Sequence, residues 1–169
     1  MNLPAVDLGI MAEHLTTHEG VINRLKMYNK LVRNHMLKKL LDLHLKTLRN
    51  HVKTMLALIE PGQTHQVHLP KLDSFNWDVD FETLEEYEKD IALDTRSTAK
   101  LMGSDNFNSA LMMKDSNVKN IHIKMAYQNV SMQMMYDHLI MQTQGEFIPR
   151  VSNEMQQLTL KHYYHVQNE

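Results

Sequence analysis

Apolar side chains recur along this chain at helical intervals, in four long stretches and a shorter fifth. In the first, from about residue 4 to 33, Met11, His18, Leu25 and Val32 are spaced by seven, and so are Leu8, Leu15 and Ile22; together they form one stripe on a helix. The second runs from about 35 to 59, with Leu37, His44, His51 and Leu58 interleaved with Leu41, Leu48 and Met55. The joint at Arg33–His35 contains neither Gly nor Pro and is inferred from a break in the stripe; one long helix is the competing reading. Pro61-Gly62 closes the second stretch.

Gln63–Val79 has no helical period and contains Pro70 and the only tryptophan, Trp77. A linker of this length in a compact domain needs a reason. A crossover along a bundle supplies one, with Phe75 and Trp77 expected to hold it to the edge of the core. Asp78 or Asp80 is the expected N-cap of the third helix, followed by Glu82, Glu85 and Glu86. That helix is expected over about 80–114, with a kink near Gly103. Its rows are Leu84, Ile91 and Thr98, and Tyr87, Asp94 and Leu101. Asp115-Ser116 caps a fourth helix over about 116–144, with rows Val118, Met125, Met132 and Leu139, and Ile121, Gln128 and Met135. Pro149 breaks the chain, and Ser152 opens a short tail helix over about 152–165. Short first and third connections around a long second one predict a single all-α domain: a ferritin-like antiparallel four-helix bundle with a long crossover between helices 2 and 3 and a short C-terminal helix.

Composition narrows the function classes. The chain has 169 residues and a formal net charge of −2, which argues against nucleic-acid or membrane-surface binding as a global property. Charge is uneven: residues 1–60 carry nine Lys/Arg against five Asp/Glu, whereas Asp73–Asp94 holds nine acids with Lys89 inside the run and Lys71 just before it. Helix-start acids account for part of this; a bipolar surface for self-association is the other reading. Without cysteine there are no disulfides or thiolate sites. No apolar run approaches a membrane span and Met1–Glu13 does not read as a signal peptide, so the protein is expected to be made and kept inside a cell. There is no Gly-x-Ser-x-Gly elbow, Walker loop or Gly-x-Gly-x-x-Gly.

The unusual feature is polar residues on core rows: His18, His44, His51, Asp94 and Gln128. A buried polar group without a partner costs about 1–3 kcal/mol, so partners are expected. His18 lies 16 residues before residue 34 and His51 17 after it, which places both roughly 24 Å from that turn in an antiparallel hairpin. Counting on through the crossover brings Asp94, and then Asp137 or His138, to a similar height. The sharp reading of a His18, His51, Asp94, Asp137 and His138 layer is a metal site for Fe, Mn or Zn; the bland one is a hydrogen-bonded core network. The bland reading is favoured, because di-metal bundles use Glu-x-x-His on two helices and this chain has no Glu-x-x-His. His14 and His18, four apart, form a further possible ligand pair. His65, His68, His162 and His165 are read as incidental; Tyr163-Tyr164 are read either as oxidative cross-linking points or, on the bland account, as packing against the bundle.

Asp90-Ile91-Ala92-Leu93-Asp94 with Ser97-Thr98-Ala99-Lys100, and Met135-Tyr136-Asp137-His138-Leu139-Ile140 with Gly145-Glu146-Phe147-Ile148-Pro149, resemble the third and closing helices of the spore coat protein F family of endospore-forming bacteria. Glu13-His14-Leu15-Thr16-Thr17-His18-Glu19 resembles the opening of such proteins, while Leu101-Met102-Gly103 departs from the family's Gly and Ala positions. The resemblance implies a ferritin-like fold and a structural, non-enzymatic role in the spore coat. Synthesis in the mother-cell cytoplasm, a homo-oligomer (a dimer) and contacts with other coat proteins go with it. The alternative expectation is a ferritin-like metal-binding protein or oxidoreductase.

Overall fold

In the computed structural model, residues 2–77, 81–143 and 145–169 are described. They contain helices α1 (Ala5–Leu31), α2 (His35–Ile59), α3 (Glu86–Met112), α4 (Ser116–Thr143) and α5 (Asn153–Tyr163), followed by a 3-10 stretch, Tyr164–Asn168. No strand occurs among the described residues. The expected caps Asp78 and Asp80 lie outside the described residues. Where the third helix was expected to start near Asp80, α3 starts at Glu86, because Glu88 caps it there: its Oε2 accepts the Glu85 N–H at 3.1 Å. The chain leaves helical geometry at Val32–Asn34, where the Asn34 side chain accepts the Leu37 N–H and starts α2 afresh.

α1 packs on α2, α3 on α4, α2 on α4 and α1 on α3, which closes a four-helix bundle. Two buried carboxylates fix its ends. Glu88 Oε1, on the first turn of α3, accepts the N–H groups of Arg33 at 2.8 Å and Asn34 at 2.7 Å, so the α1–α2 turn sits at the start of α3. Asp7, on the first turn of α1, accepts the N–H groups of Lys114 and Asp115, each at 2.8 Å, so the α3–α4 turn sits at the start of α1. Each turn exposes amides that its own helices do not satisfy, and each borrows an acceptor from the other hairpin.

α3 runs unbroken through Gly103. A Cβ there would stand 3.1 Å from Val130 Cγ2 and 3.4 Å from the Ala126 carbonyl oxygen; the glycine serves close approach to α4. Ala92, Ala99 and Ala110 are buried on the same helix. The inward face of α3 is thus built partly from small residues. The expected core row Tyr87, Asp94 and Leu101 turns outward instead, with Leu101 67% exposed. Leu8, on the second row of α1, is also exposed.

The crossover is held by its apolar side chains. Leu72, Phe75, Trp77 and Phe81 pack on one end of the core, while Val67 and Leu69 pack on the other. The core itself consists of two apolar clusters. Between its contributions to them, each long helix carries polar residues: His14 and His18 on α1 between Met11 and Leu25, His51 on α2 between Leu48 and Met55, Asn106 on α3 between Met102 and Met113, and Gln128 and Asn129 on α4 between Met125 and Met132. A buried polar belt therefore girdles the bundle between two greasy ends. α5 stands apart: none of its residues is buried, and Tyr163 and Tyr164, expected against the bundle, are exposed.

A buried histidine belt as candidate functional site

Among the described residues, five histidines are almost wholly buried: His14, His18, His51 and His122 at the belt, and His44 beside it within the larger apolar cluster, between Leu43 and Leu45. Burial disfavours the charged ring and dominates every one. It lowers His14 below the ordinary histidine range, His18 and His122 to about 4, and His44 and His51 to about 3. All five are therefore neutral at neutral pH. Each ring then carries a single N–H, which makes their hydrogen bonds countable.

One chain of contacts crosses the bundle. His18 Nδ1 lies 2.7 Å from the His14 carbonyl oxygen, His18 Nε2 lies 3.4 Å from His51 Nδ1, and His51 Nε2 lies 2.9 Å from Gln128 Oε1. Gln128 Nε2 in turn donates to the Pro70 carbonyl at 2.8 Å. That last contact fixes the amide, since the reversed orientation would set two oxygens face to face. The chain accordingly begins and ends on acceptors. His18 gives its proton to the His14 carbonyl and His51 gives its proton to Gln128, so none remains for the gap between them. Two nitrogen lone pairs face each other there, and 3.4 Å is long for a hydrogen bond between nitrogens.

Counting partners among the described residues only, the other three buried histidines have spare nitrogens as well. His14 Nε2 is 3.0 Å from Ser109 Oγ and 3.3 Å from the exposed carboxylate of Asp105, leaving Nδ1 with no hydrogen-bond partner. His122 Nδ1 donates to the Val118 carbonyl at 2.9 Å and its Nε2 has none. The rings of His14 and His122 are 5.3 Å apart. His44 Nδ1 meets the Tyr136 hydroxyl at 3.2 Å, leaving Nε2 bare. The amide of Asn129, also buried, has neither its oxygen nor its nitrogen paired.

Of the residues that the sequence placed in one layer, His18 and His51 come together and the others do not. Glu88 is level with Asn34, so Asp94, six residues further along α3, is level with Tyr28, six residues before the turn, instead of with His18. Its Oδ2 accepts from the Tyr28 hydroxyl at 3.0 Å and pairs with Arg24 Nε at 3.4 Å, on the outside of the α1–α3 seam. Asp137 pairs with Arg96 at 3.1 Å and accepts from Gln133. His138 is exposed and packs edge-on against Trp77, with ring centroids 4.5 Å apart, fastening the crossover to α4. A carboxylate-rich metal centre does not fit this set, because the acids are bound to arginines outside the belt. Among the described residues no group of three or more His, Cys, Asp or Glu is placed to hold a metal ion. Sequence reasoning missed His122, Asn106 and Asn129. His122 follows the buried Val118 by four residues and precedes Gln128 and Asn129 by about two turns, a signal of helical spacing that large apolar rows obscure.

No helix of the described residues is long and apolar enough to cross a membrane. Comparison with models of protein families finds no match, and neither do comparisons with curated proteins and with solved structures.

Proposed function

We propose that this chain is a non-enzymatic structural protein of the bacterial spore coat. On this reading it is made in the mother-cell cytoplasm and works through self-association and contacts with other coat proteins. Its four long helices are read as the ferritin-like arrangement, in which helices 1 and 2 form one hairpin, helices 3 and 4 the other, and the crossover joins them lengthwise. Support for the arrangement comes from Glu88 and Asp7, which tie each hairpin's turn to the first helix of the other. Support for the coat assignment comes from the resemblance of the third and fourth helices to the spore coat protein F family.

The observation that carries the functional reading is where apolar side chains lie outside the core. Tyr127 and Met134 on α4 and Leu158, Leu160 and Tyr163 on α5 are each more than half exposed. A bundle acting alone has no need of so many, and exposed apolar patches mark contact surfaces.

A fluorescent fusion expressed during sporulation in an endospore-forming host tests the assignment. The fusion is expected to form a shell around the forespore and to be recovered in coat extracts; diffuse fluorescence and absence from the coat would overturn it. Metal analysis of protein purified without chelator tests the alternative. Stoichiometric Fe, Mn or Zn that disappears on His18→Ala or His51→Ala would replace the structural reading with a ferritin-like metal-binding one.

A further inference from the structure

α4 is apolar on two opposite faces. Val118, Ile121, Met125, Met132 and Leu139 point into the core. On the outer face, Ile123, Tyr127, Val130, Met134 and Met141 follow at intervals of four, three, four and seven residues and are 38%, 73%, 44%, 62% and 40% exposed. Such intervals are the alternating three–four spacing of a heptad seam, with Asp137 at the one polar position, and a seam of this kind is complementary to another helix. Beside it, a groove of about 450 Å³ runs over Gly103 and Ala126, with Phe107 of α3 on its far wall.

We propose that this face is where two copies of the chain meet, α4 of one lying antiparallel to α4 of the other across a two-fold axis. The inference rests on the self-association reading above and names the surface that performs it. Three observations select this occupant. The first is area. The five seam residues and Phe107 expose about 600 Å² at roughly 200 Å² for a fully exposed large side chain. That is the upper end of the largest patch on a typical monomer. With a polar rim it approaches the roughly 800 Å² per partner of a standard interface. The second is charge. Lys119 and Lys124 lie toward the start of the seam; Asp137 and Glu146 lie toward its end and share a single arginine, Arg96, which leaves that end negative. Antiparallel pairing sets the basic end of each copy beside the acidic end of the other, whereas parallel pairing stacks like on like. The third is length. Ile123 to Met141 spans about 27 Å of helix. α5, the other unpartnered apolar helix, has 11 residues and covers about 16 Å. A self-complementary patch on both subunits is also what a closed dimer requires.

The test uses the full chain in two ways. Light scattering coupled to size exclusion is expected to show a dimer, and Tyr127→Glu with Met134→Lys is expected to halve the mass to the 19.8 kDa of one chain while the circular dichroism melt stays unchanged. Separately, because the chain has no cysteine, oxidation of an equimolar mixture of Ile123→Cys and Met141→Cys chains reports direction. Antiparallel seams give the mixed disulfide; parallel seams give the two like pairs. A wild-type monomer would overturn both this inference and the self-association reading. A dimer that survives the double substitution, or like-pair disulfides, would overturn the α4 interface and leave self-association standing, with α5 or another face as its site. If the double variant misfolds, the cross-linking result decides alone.

Discussion

His18 Nε2 and His51 Nδ1 face each other at 3.4 Å across the α1–α2 hairpin with no proton to share, because each ring has already given its N–H to an acceptor on the other side. The belt is thus a place where the folded protein refuses protons that the unfolded chain accepts readily. An unfolded histidine titrates at about 6.5, whereas burial holds His18 and His122 to about 4 and His44 and His51 to about 3 in the fold, with His14 also lowered. As pH falls below about 6.5 the unfolded state binds more protons, so stability falls with it. Each histidine contributes up to about 1.4 kcal/mol per pH unit, and five act in the same direction. A domain of ordinary stability, about 5–15 kcal/mol, is therefore expected to unfold cooperatively between about pH 4 and 5.5. Denaturant melts at half-unit steps from pH 7.5 downward measure this. A free energy of unfolding that stays level from pH 7 to 5 would contradict the neutral belt.

The facing lone pairs also make His18 replaceable. His18→Leu removes one of them and keeps apolar bulk between the two core clusters, at the loss of one hydrogen bond to the His14 carbonyl. The expected change at pH 7 is within about 1 kcal/mol of the parent, and the acid slope becomes shallower by one histidine. Thermal melts at pH 7 and pH 5.5 together test both halves. A loss of several kcal/mol at pH 7 would show that the imidazole is held by more than the contacts described.

At Gly103 the space available sets the outcome. Gly103→Ala adds helix propensity of about 1 kcal/mol while pressing a methyl group to 3.1 Å from Val130 Cγ2, a flexible neighbour. The two effects are expected to cancel to within about 1 kcal/mol. Gly103→Leu adds a branched side chain to a Cβ already held 3.1 Å from Val130 Cγ2 and 3.4 Å from the Ala126 carbonyl oxygen, so even when it turns into the groove outside it must press α3 from α4, and is expected to cost about 1–3 kcal/mol by overpacking. Urea unfolding of both variants distinguishes close packing from a kink, since at a kink Leu and Ala would differ little.

The periodicity made the helical stretches and their pairing legible. Large apolar residues at seven-residue spacing locate α2 and α4 closely, and Pro61-Gly62 and Asp115 mark their borders. α3 was harder, because its inward face uses Ala92, Ala99, Gly103 and Ala110, residues that a search for bulk passes over. Its start was misplaced for a related reason. Acids from Glu82 to Glu86 all suit a helix N-terminus, and only the tertiary contact of Glu88 with Asn34 decides among them. That error in register also carried Asp94 into the wrong layer. His18 and His51 were found because α1 and α2 share a short turn, across which counting residues is reliable. The pairing of His14 with His122 needed the second anchor, Asp7 to Asp115, which brings residues 14 and 122 level at seven residues from each and which no local pattern reveals.

Asp7 and Glu88 give the sharpest local prediction. Each is buried and each accepts two backbone N–H groups of a turn in the opposite hairpin. Burial works against the Glu88 charge, yet the N–H groups of Asn34, Arg33 and Glu85 together hold its pKa below the usual carboxylate value. Stability from that site is present above the unfolded carboxylate range and is lost as pH falls through the lowered value. Asp7→Ala strands the amides of Lys114 and Asp115, and Glu88→Ala strands those of Arg33 and Asn34. An unpaired buried donor costs about 1–3 kcal/mol, and three of these four hydrogen bonds are only part-buried, so each variant is expected to lose about 1–3 kcal/mol overall. Hydrogen exchange separates this mechanism from general loosening. Asp7→Ala should speed exchange at residues 114 and 115 by more than the global change in stability, while the amides of Arg33 and Asn34 follow that global change; Glu88→Ala should do the reverse. Uniform acceleration across both turns in either variant would mean that the carboxylates stabilise the bundle as a whole without acting as the acceptors that anchor its two ends.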